Sequence, residues 1–505
     1  MVINLTLHMD TNLESTDYIG FDFKEGNYLV YAKVDFTKKV RDWDGFGVNY
    51  VETAQTPDYE KDPQDYGGFS ILSENDRKTI LDLIFGEDGL KPGIVKMFLD
   101  PFHQPSVPDS TYINDLDTVD LSLYDHVTTT RWMRYFVKEG LEITRQRGGD
   151  LAIITTLYGP PGWMTLQRVI RGRDLDPKFK VVCAKYMVSW AKYLREVEEL
   201  PVKYISLHNE GEDYHRWPYD GRSNNLGTGH DYNMYWSPKL VVEFIKLVRT
   251  VLDKQRMYEV GVTPGETTNW YRFSDWGYAD AIAEDQQAVR DLGLITSHGF
   301  FGPHYGRWYG DHRSLGNDII REKRPELHSW VTSTSWSNMD ANFVNEIRNN
   351  IYCTKVNGII PWACIQRPTK WVGGDPNPGT AFIVNEDGSF SVTQGYYFYK
   401  QVSRAGQPGM AVVKVTATSS EIGLIGFSSN GTSNPNAFVV INVDDDYREV
   451  YINIAGDKYG IYDAFRTSQS EKYQHIGVIE KQGNIIKYQA PPKSVTSFFE
   501  RGALK

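Results

Sequence analysis

From about residue 41 to about residue 380 the chain alternates short apolar runs with longer amphipathic ones. The short runs are GFGVNY (45–50), GIVKMFLD (93–100), LAIITTLY (151–158), VKYISLHNE (202–210), YEVGVTP (258–264), LGLITSHGF (292–300), LHSWVTSTS (327–335) and VNGIIPWACI (356–365). They read as eight strands. Between them lie helical patterns. One is opened by Asp176 with Pro177 at its first position and carries Val181, Tyr186, Trp190 and Leu194 at three- and four-residue spacings. Another starts at Ser237-Pro238 and runs through Val241, Phe244, Leu247 and Leu252. Eight strand-helix units in one tract are what a (β/α)8 TIM barrel requires; a doubly wound open sheet is the alternative.

After about residue 385 the texture changes to short alternating strands separated by turn signals: NEDGSF, AFVVINVDDD, EVYINIAG and NIIKYQAPPKSVTSFF. This predicts an accessory antiparallel β-sandwich. The stretch NYLVYAKVDFTKK (27–39) alternates in the same way and is expected to pair with the C-terminal sheet, tying the two chain ends together. The expected organisation is therefore residues 1–40 joining the sandwich, 41–384 forming the barrel and 385–505 completing the sandwich. A chain of 505 residues exceeds one ordinary core, so two domains also suit its length.

Charge and composition narrow the partners. The formal net charge of −11 argues against nucleic acid and anionic membrane surfaces. The 13 Trp, 32 Tyr and 23 Phe suit the apolar faces of sugar rings, although Tyr and Trp also complete ordinary cores. Cys183, Cys353 and Cys364 lie in apolar surroundings without metal-like spacing and read as buried free thiols. No run approaches the roughly 18 apolar residues of a membrane span. The segment MVINLTLHMD lacks the marks of a signal peptide, so the expected location is cytoplasmic, or secreted if an export signal was removed.

In a parallel barrel the chemistry gathers where strands end, at their C-terminal edge. Strand four closes with His208, Asn209 and Glu210, a carboxylic acid beside an amide that can hold a sugar hydroxyl. Strand three closes with YGPPGWMT, which presents Trp163 either as an aromatic wall or as loop packing. Strand six closes with Ser297-His298-Gly299 and continues to His304 and Tyr305; strand eight ends in Pro361-Trp362. Trp163, Asn209, His298, Tyr305 and Trp362 are thus candidate sugar-binding residues. No metalloprotease, zinc, nucleotide or esterase motif appears, and no metal or cofactor is expected. Asp444-Asp445-Asp446 reads as a solvated turn.

Together these pieces resemble glycoside hydrolase family 30, within the clan of retaining (β/α)8 glycosidases. DWDGFGVNY resembles the family's first strand, YGPPGWM its Pro-Pro-x-Trp-Met turn, and HNE at 208–210 its Asn-Glu. SVTQGYYFYKQVSRAGQPGM (391–410) and APPKSVTSFF (490–499) resemble the start and finish of its companion sandwich. The resemblance implies double displacement on a β-linked glycoside or oligosaccharide, with one Glu as nucleophile and another as acid/base, roughly 5–5.5 Å apart. Glu210 matches the acid/base. The nucleophile is expected after an aromatic-x-Thr on strand seven, where this chain reads Trp330-Val331-Thr332 and then Ser333.

Three readings of Ser333 follow. It is a replacement of the nucleophile, giving an inactive or glycosynthase-type enzyme; or it marks a natural sugar-binding pseudoenzyme; or another carboxylate serves. Glu326 sits at the wrong end of its strand, while Glu266 and Glu212 are better placed but match no nucleophile position. A serine hydroxyl without an adjacent base is a weak nucleophile and brings no charge to an oxocarbenium-like transition state. The sugar, the linkage and the choice between chain-end and internal cleavage stay open.

Overall fold

The computed structural model describes residues 29–53, 65–217, 232–301, 311–336, 339–368 and 379–502. The first described strand, β1 (Val30–Asp42), is followed by eight more: β2 (Gly45–Asn49), β3 (Ile94–Leu99), β4 (Ala152–Leu157), β5 (Val202–Ser206), β6 (Gly261–Thr263), β7 (Ile295–Ser297), β8 (Ser329–Ser335) and β9 (Gly358–Trp362). Strands β2 to β9 are the eight apolar runs, and they pair in parallel in the order β6-β5-β4-β3-β2-β9-β8-β7. The ring closes between its ends. Val262 bridges Leu292 in parallel, and the Gly293 amide donates to the Val262 carbonyl at 2.8 Å. This is the (β/α)8 barrel the pattern predicts, with β2 as barrel strand one and β9 as strand eight.

The residues that fill the barrel come from alternate positions, since every second side chain of a strand faces the same side. Ile94, Ile154, Leu294, Trp330 and Ile360 form a closed apolar cluster, joined by Ala152 and Tyr204. The other faces of the strands pack into the large core shared with the surrounding helices. Ser237 caps the helix Pro238–Lys254 by accepting from the Leu240 amide at 3.2 Å, as its sequence predicts. Asp176 also caps, but it caps a single 3-10 turn, Pro177–Phe179, and the α-helix proper runs Lys180–Glu196.

Eight C-terminal strands and β1 make one nine-stranded sheet. In that sheet β1 lies between Ala411–Ala417 and Arg448–Ala455, so the strand from Val30 belongs to the sheet built from the C-terminal part of the chain. The first of these pairings is antiparallel and the second parallel; every other described pairing in the sheet is antiparallel. Local alternation carries no information on the direction of a strand's distant partner. The sheet folds over a core that includes Val34, Phe438, Ile452, Tyr488 and Phe498. Phe438 stacks on Phe498 at 4.5 Å, and the Tyr488 ring from the edge strand meets Phe498 at 5.2 Å. NEDGSF is the turn between Phe382–Val384 and Phe390–Val392, which with Ile365–Gln366 form a separate three-stranded sheet.

Helix Gln394–Ala405 joins the two bodies. The Tyr399 hydroxyl donates to the Gly47 carbonyl of β2 at 2.7 Å, while Gln401 bonds Thr467 and Ser497 of the sandwich. Cys183 and Cys364 are buried, but Cys353 is exposed, contrary to its apolar surroundings in sequence. It is the residue that ends helix Ala341–Tyr352, one position beyond the helix's buried face. No described helix is long and apolar enough to cross a membrane.

Candidate active site

The end of barrel strand four is held in a conformation that few residues adopt. Glu210 has φ +51°, in the left-handed region where a side chain costs of order 1–3 kcal/mol unless its surroundings fix it. The surroundings do so from both sides. The Glu210 amide donates to the Glu266 carbonyl at 2.7 Å, and the Glu266 amide donates to the His208 carbonyl at 2.8 Å. Asn233 donates to the Asn209 carbonyl at 2.7 Å, and the Gly211 amide donates to His208 Nδ1 at 3.1 Å. The close approach depends on Gly265, φ +94°, where a Cβ would lie 2.1 Å from His208 Cδ2. Burial pushes the His208 imidazole down to about 4, so it is neutral here.

The Glu210 carboxylate is buried and engaged at both oxygens. Oε1 lies 2.8 Å from His298 Nδ1, and Oε2 accepts from Arg216 Nη1 at 2.7 Å. The other nitrogen of His298 lies 2.9 Å from Glu266 Oε2. Glu266 accepts in addition from Thr156 Oγ1 at 2.6 Å and from Lys96 Nζ. Lys96 completes the line by reaching the Thr332 carbonyl at 3.4 Å. Charge thus alternates across the barrel mouth: Arg216, Glu210, His298, Glu266, Lys96. Burial alone would keep Glu266 neutral, but the Lys96 ammonium and the His298 hydrogen bond hold it down at about 2. Burial likewise opposes charge on His298, yet its bonds to Glu210 and Glu266 raise it above the ordinary histidine value. With a carboxylate on each ring nitrogen, the imidazolium satisfies both.

Glu212 is spoken for as well. It is buried, accepts from the Thr268 amide at 2.9 Å and from Arg272 Nη1 at 2.9 Å, and despite burial is held below the usual carboxylate range chiefly by Arg272. Glu326 is exposed and paired with Arg324, outside this network.

Ser333 lies on β8 and is 3% exposed. The ladder between β8 and β9 is irregular at that point: Val331 pairs with Ile359 and Thr334 with Pro361, so three residues of one strand span two of the other. A bulge of this kind bends a strand and re-aims a side chain. Ser333 follows Thr332, whose carbonyl Lys96 contacts.

Of the residues singled out from sequence, the structure brings Asn209, Glu210 and His298 into one bonded cluster. Trp362 is 7% exposed and meets Phe98 edge-on at 5.6 Å, and Phe98 lies 5.0 Å beneath Lys96 Nζ, which links Trp362 to the same network. The Trp163 indole donates to the Gln104 carbonyl at 3.0 Å and its ring meets Phe179 edge-on at 5.0 Å. Tyr305 and His304 lie outside the described residues. Lys96 and Arg216 were not singled out from sequence. Lys96 had a signal, since a lysine in the apolar run IVKMFL must find a partner if that run is buried. Arg216 had none, being one charge in a polar loop.

No family model and no curated protein matches the sequence. Solved structures do match. A GH30 endoxylanase from Clostridium papyrosolvens C71 is 15% identical over 93% of this chain and 100% of its own, with a TM-score of 0.64. The catalytic domain of GH30 xylanase C from Talaromyces cellulolyticus is 13% identical over 94% and 100%, TM-score 0.66. SrfJ from Salmonella typhimurium is 13% identical over 96% and 95%, TM-score 0.68. At such identities the likeness is one of fold: a GH30-like (β/α)8 barrel with its companion sandwich.

Proposed function

We propose that this chain carries the site of a retaining β-glycosidase, with Glu210 as acid/base and position 333 as the nucleophile position, occupied by serine. The observation that supports it most is the pairing of two features at two strand ends. A buried glutamate in a strained backbone conformation closes barrel strand four, and a buried residue in a strand bulge closes strand seven. The substrate is a neutral β-linked glycoside, which a surface of net charge −11 does not repel.

In the parent reaction a carboxylate at 333 attacks the anomeric carbon while Glu210 protonates the departing oxygen; Glu210 then takes a proton from water, which releases the sugar with its configuration retained. Serine supplies neither the attacking charge nor its stabilisation of the oxocarbenium-like transition state. Losing a group that acts mainly in the transition state costs about 10²–10³-fold in rate or more. No other carboxylate takes over in this reading, because Glu266 and Glu212 already satisfy buried cations. The chain therefore holds glycosides and turns them over poorly. Given a donor of opposite anomeric configuration with its own leaving group, it has the chemistry of a glycosynthase, with Glu210 as base.

The test is Ser333→Glu, assayed on a panel of aryl β-glycosides with the product anomer read by NMR. Hydrolysis at least about 10²-fold above the parent, with retention, is the expected result. A folded Ser333→Glu protein that binds sugars yet hydrolyses none of the panel would favour a second reading, non-catalytic carbohydrate binding.

A further inference from the structure

We infer that Arg216 is a positioning residue that holds Glu210 ionised in the protein without substrate, so that Glu210 stands ready as a base and must take up a proton before it can act as an acid. The inference rests on the glycosidase reading for its catalytic meaning, but its electrostatic content stands on geometry alone.

Arg216 lies six residues beyond Glu210, at the end of the turn Tyr214–Arg216, and is 1% exposed. The turn is fixed locally, with Asp213 accepting from the His215 amide at 3.1 Å and the Arg216 amide donating to the Asp213 carbonyl at 3.1 Å. From there one guanidinium nitrogen, Nη1, donates to the Glu210 backbone carbonyl at 3.1 Å and to Oε2 at 2.7 Å. One donor group therefore steadies both the strained backbone of Glu210 and its carboxylate. The guanidinium carbon stands 5.4 Å from the Trp217 ring.

Burial and the nearby Glu212 charge oppose ionisation of Glu210, and its described hydrogen-bond partners oppose them in turn. His298 occupies Oε1, and behind it Glu266 is already neutralised by Lys96. His208, on Glu210's own strand, is neutral. Among the described residues, Glu212 is paired with Arg272, and the Asp213 carboxylate lies 3.8 Å from the same guanidinium. Each oxygen of Glu210 thus faces a cationic donor, and the described anions beside it, Glu212 and Glu266, are each paired with a cation of their own. An arginine in contact lowers a carboxyl's proton affinity by about 1–3 pH units, because the guanidinium cannot itself give up its charge. Protonation of Glu210 and release from Arg216 are then linked events, and Arg216 sets the pH below which the acid form is populated.

Infrared titration of the full chain tests this without a substrate. The Glu210 carboxyl band is identified by its loss in Glu210→Gln, and its midpoint is followed in the parent, Arg216→Gln, Arg216→Lys and His298→Gln. Arg216→Gln should raise the midpoint by about 1–3 pH units, and Arg216→Lys, which keeps the charge, should return it most of the way. Equal midpoints in the parent and Arg216→Gln overturn the inference, as do equal midpoints in Gln and Lys variants, which would mark a merely structural role. His298→Gln, which removes the cation at Oε1, should also raise the midpoint; should Arg216→Gln fail to fold, Arg216→Met, which keeps the apolar stem and removes the guanidinium, takes its place with the same expected rise. In the Ser333→Glu background, the alkaline limb of kcat/KM on 4-nitrophenyl β-glycosides should move with Arg216→Gln by the same amount. If the infrared shift appears but Ser333→Glu is inactive, the glycosidase reading falls and the ionisation clamp stands; activity without the shift has the opposite meaning.

Discussion

Replacing Lys96 by methionine removes one partner of an ion pair in which both side chains are fully buried. Two separate arguments give the size of the effect. Glu266 is held at about 2 against an ordinary 4.5, a preference for the charged form of about 3 kcal/mol at ~1.4 kcal/mol per pH unit. Breaking a buried pair by deleting one partner costs about 3–5 kcal/mol in general, because the remaining charge is stranded. Here Thr156 and His298 still bond Glu266, which places the expected loss near the lower figure, about 3 kcal/mol. The assay is urea unfolding at neutral pH, followed by tryptophan fluorescence. Adding Glu266→Gln removes the stranded charge, so the double variant should recover at least about half of the loss, a coupling of roughly 2 kcal/mol. The pH dependence has a definite sign. A depressed carboxyl contributes stability above 4.5 and loses it as pH falls from 4.5 towards 2, so the parent should weaken across that window and the double variant should lack this component. A Lys96→Met loss below about 1 kcal/mol, or strict additivity with Glu266→Gln, would refute the claim that the two charges depend on each other.

Glu52 behaves in the reverse sense. Burial, reinforced by the charge of Asp65, pushes it up to about 9 while its Oε2 accepts from the Trp132 and Met133 amides at the start of helix Arg131–Gln146. The folded state therefore keeps a proton that the unfolded chain loses, and stability falls as pH rises from 4.5 to about 9; Glu52→Gln should remove that slope, gaining in thermal midpoint relative to the parent between about pH 5 and pH 8. Among the cysteines only Cys353 is exposed, and burial pushes the Cys183 thiol up to about 12 and that of Cys364 higher. A thiol reagent should label one cysteine in the native protein and all three in denaturant; labelling of Cys183 or Cys364 at the native rate would contradict the packing.

The barrel was legible because parallel strands covered on both faces must be apolar along their length, and eight such runs are hard to arrange otherwise. Where the reading overshot, polar residues explain it. The run YEVGVTP yields only Gly261–Thr263, and LGLITSHGF only Ile295–Ser297, because the chain beyond turns away to place His298 and Glu266. Those extensions are what build the site: the Asn209–Glu266 and Thr267–Ser297 bridges carry strand-like pairing past the ends of the regular strands. Strand direction in the sandwich was not legible, since β1 alternates in the same way whether Arg448–Ala455 runs with it or against it.

For the candidate site, the rule that chemistry lies at strand ends points to Asn209, Glu210 and His298, which the structure draws together, and does not point to Lys96, which sits mid-strand and reaches the same cluster with its long side chain. The same rule leaves Ser333 ambiguous. Trp330 belongs to the cluster inside the barrel and Val331 to the core outside it. Counting by twos from there puts residue 333 with Val331, on the side facing the helices. The extra residue between the Val331 and Thr334 pairings breaks that count at the position where it matters. A bulge re-aims the side chains it carries, so the inside-outside alternation set by Trp330 and Val331 does not extend to residue 333.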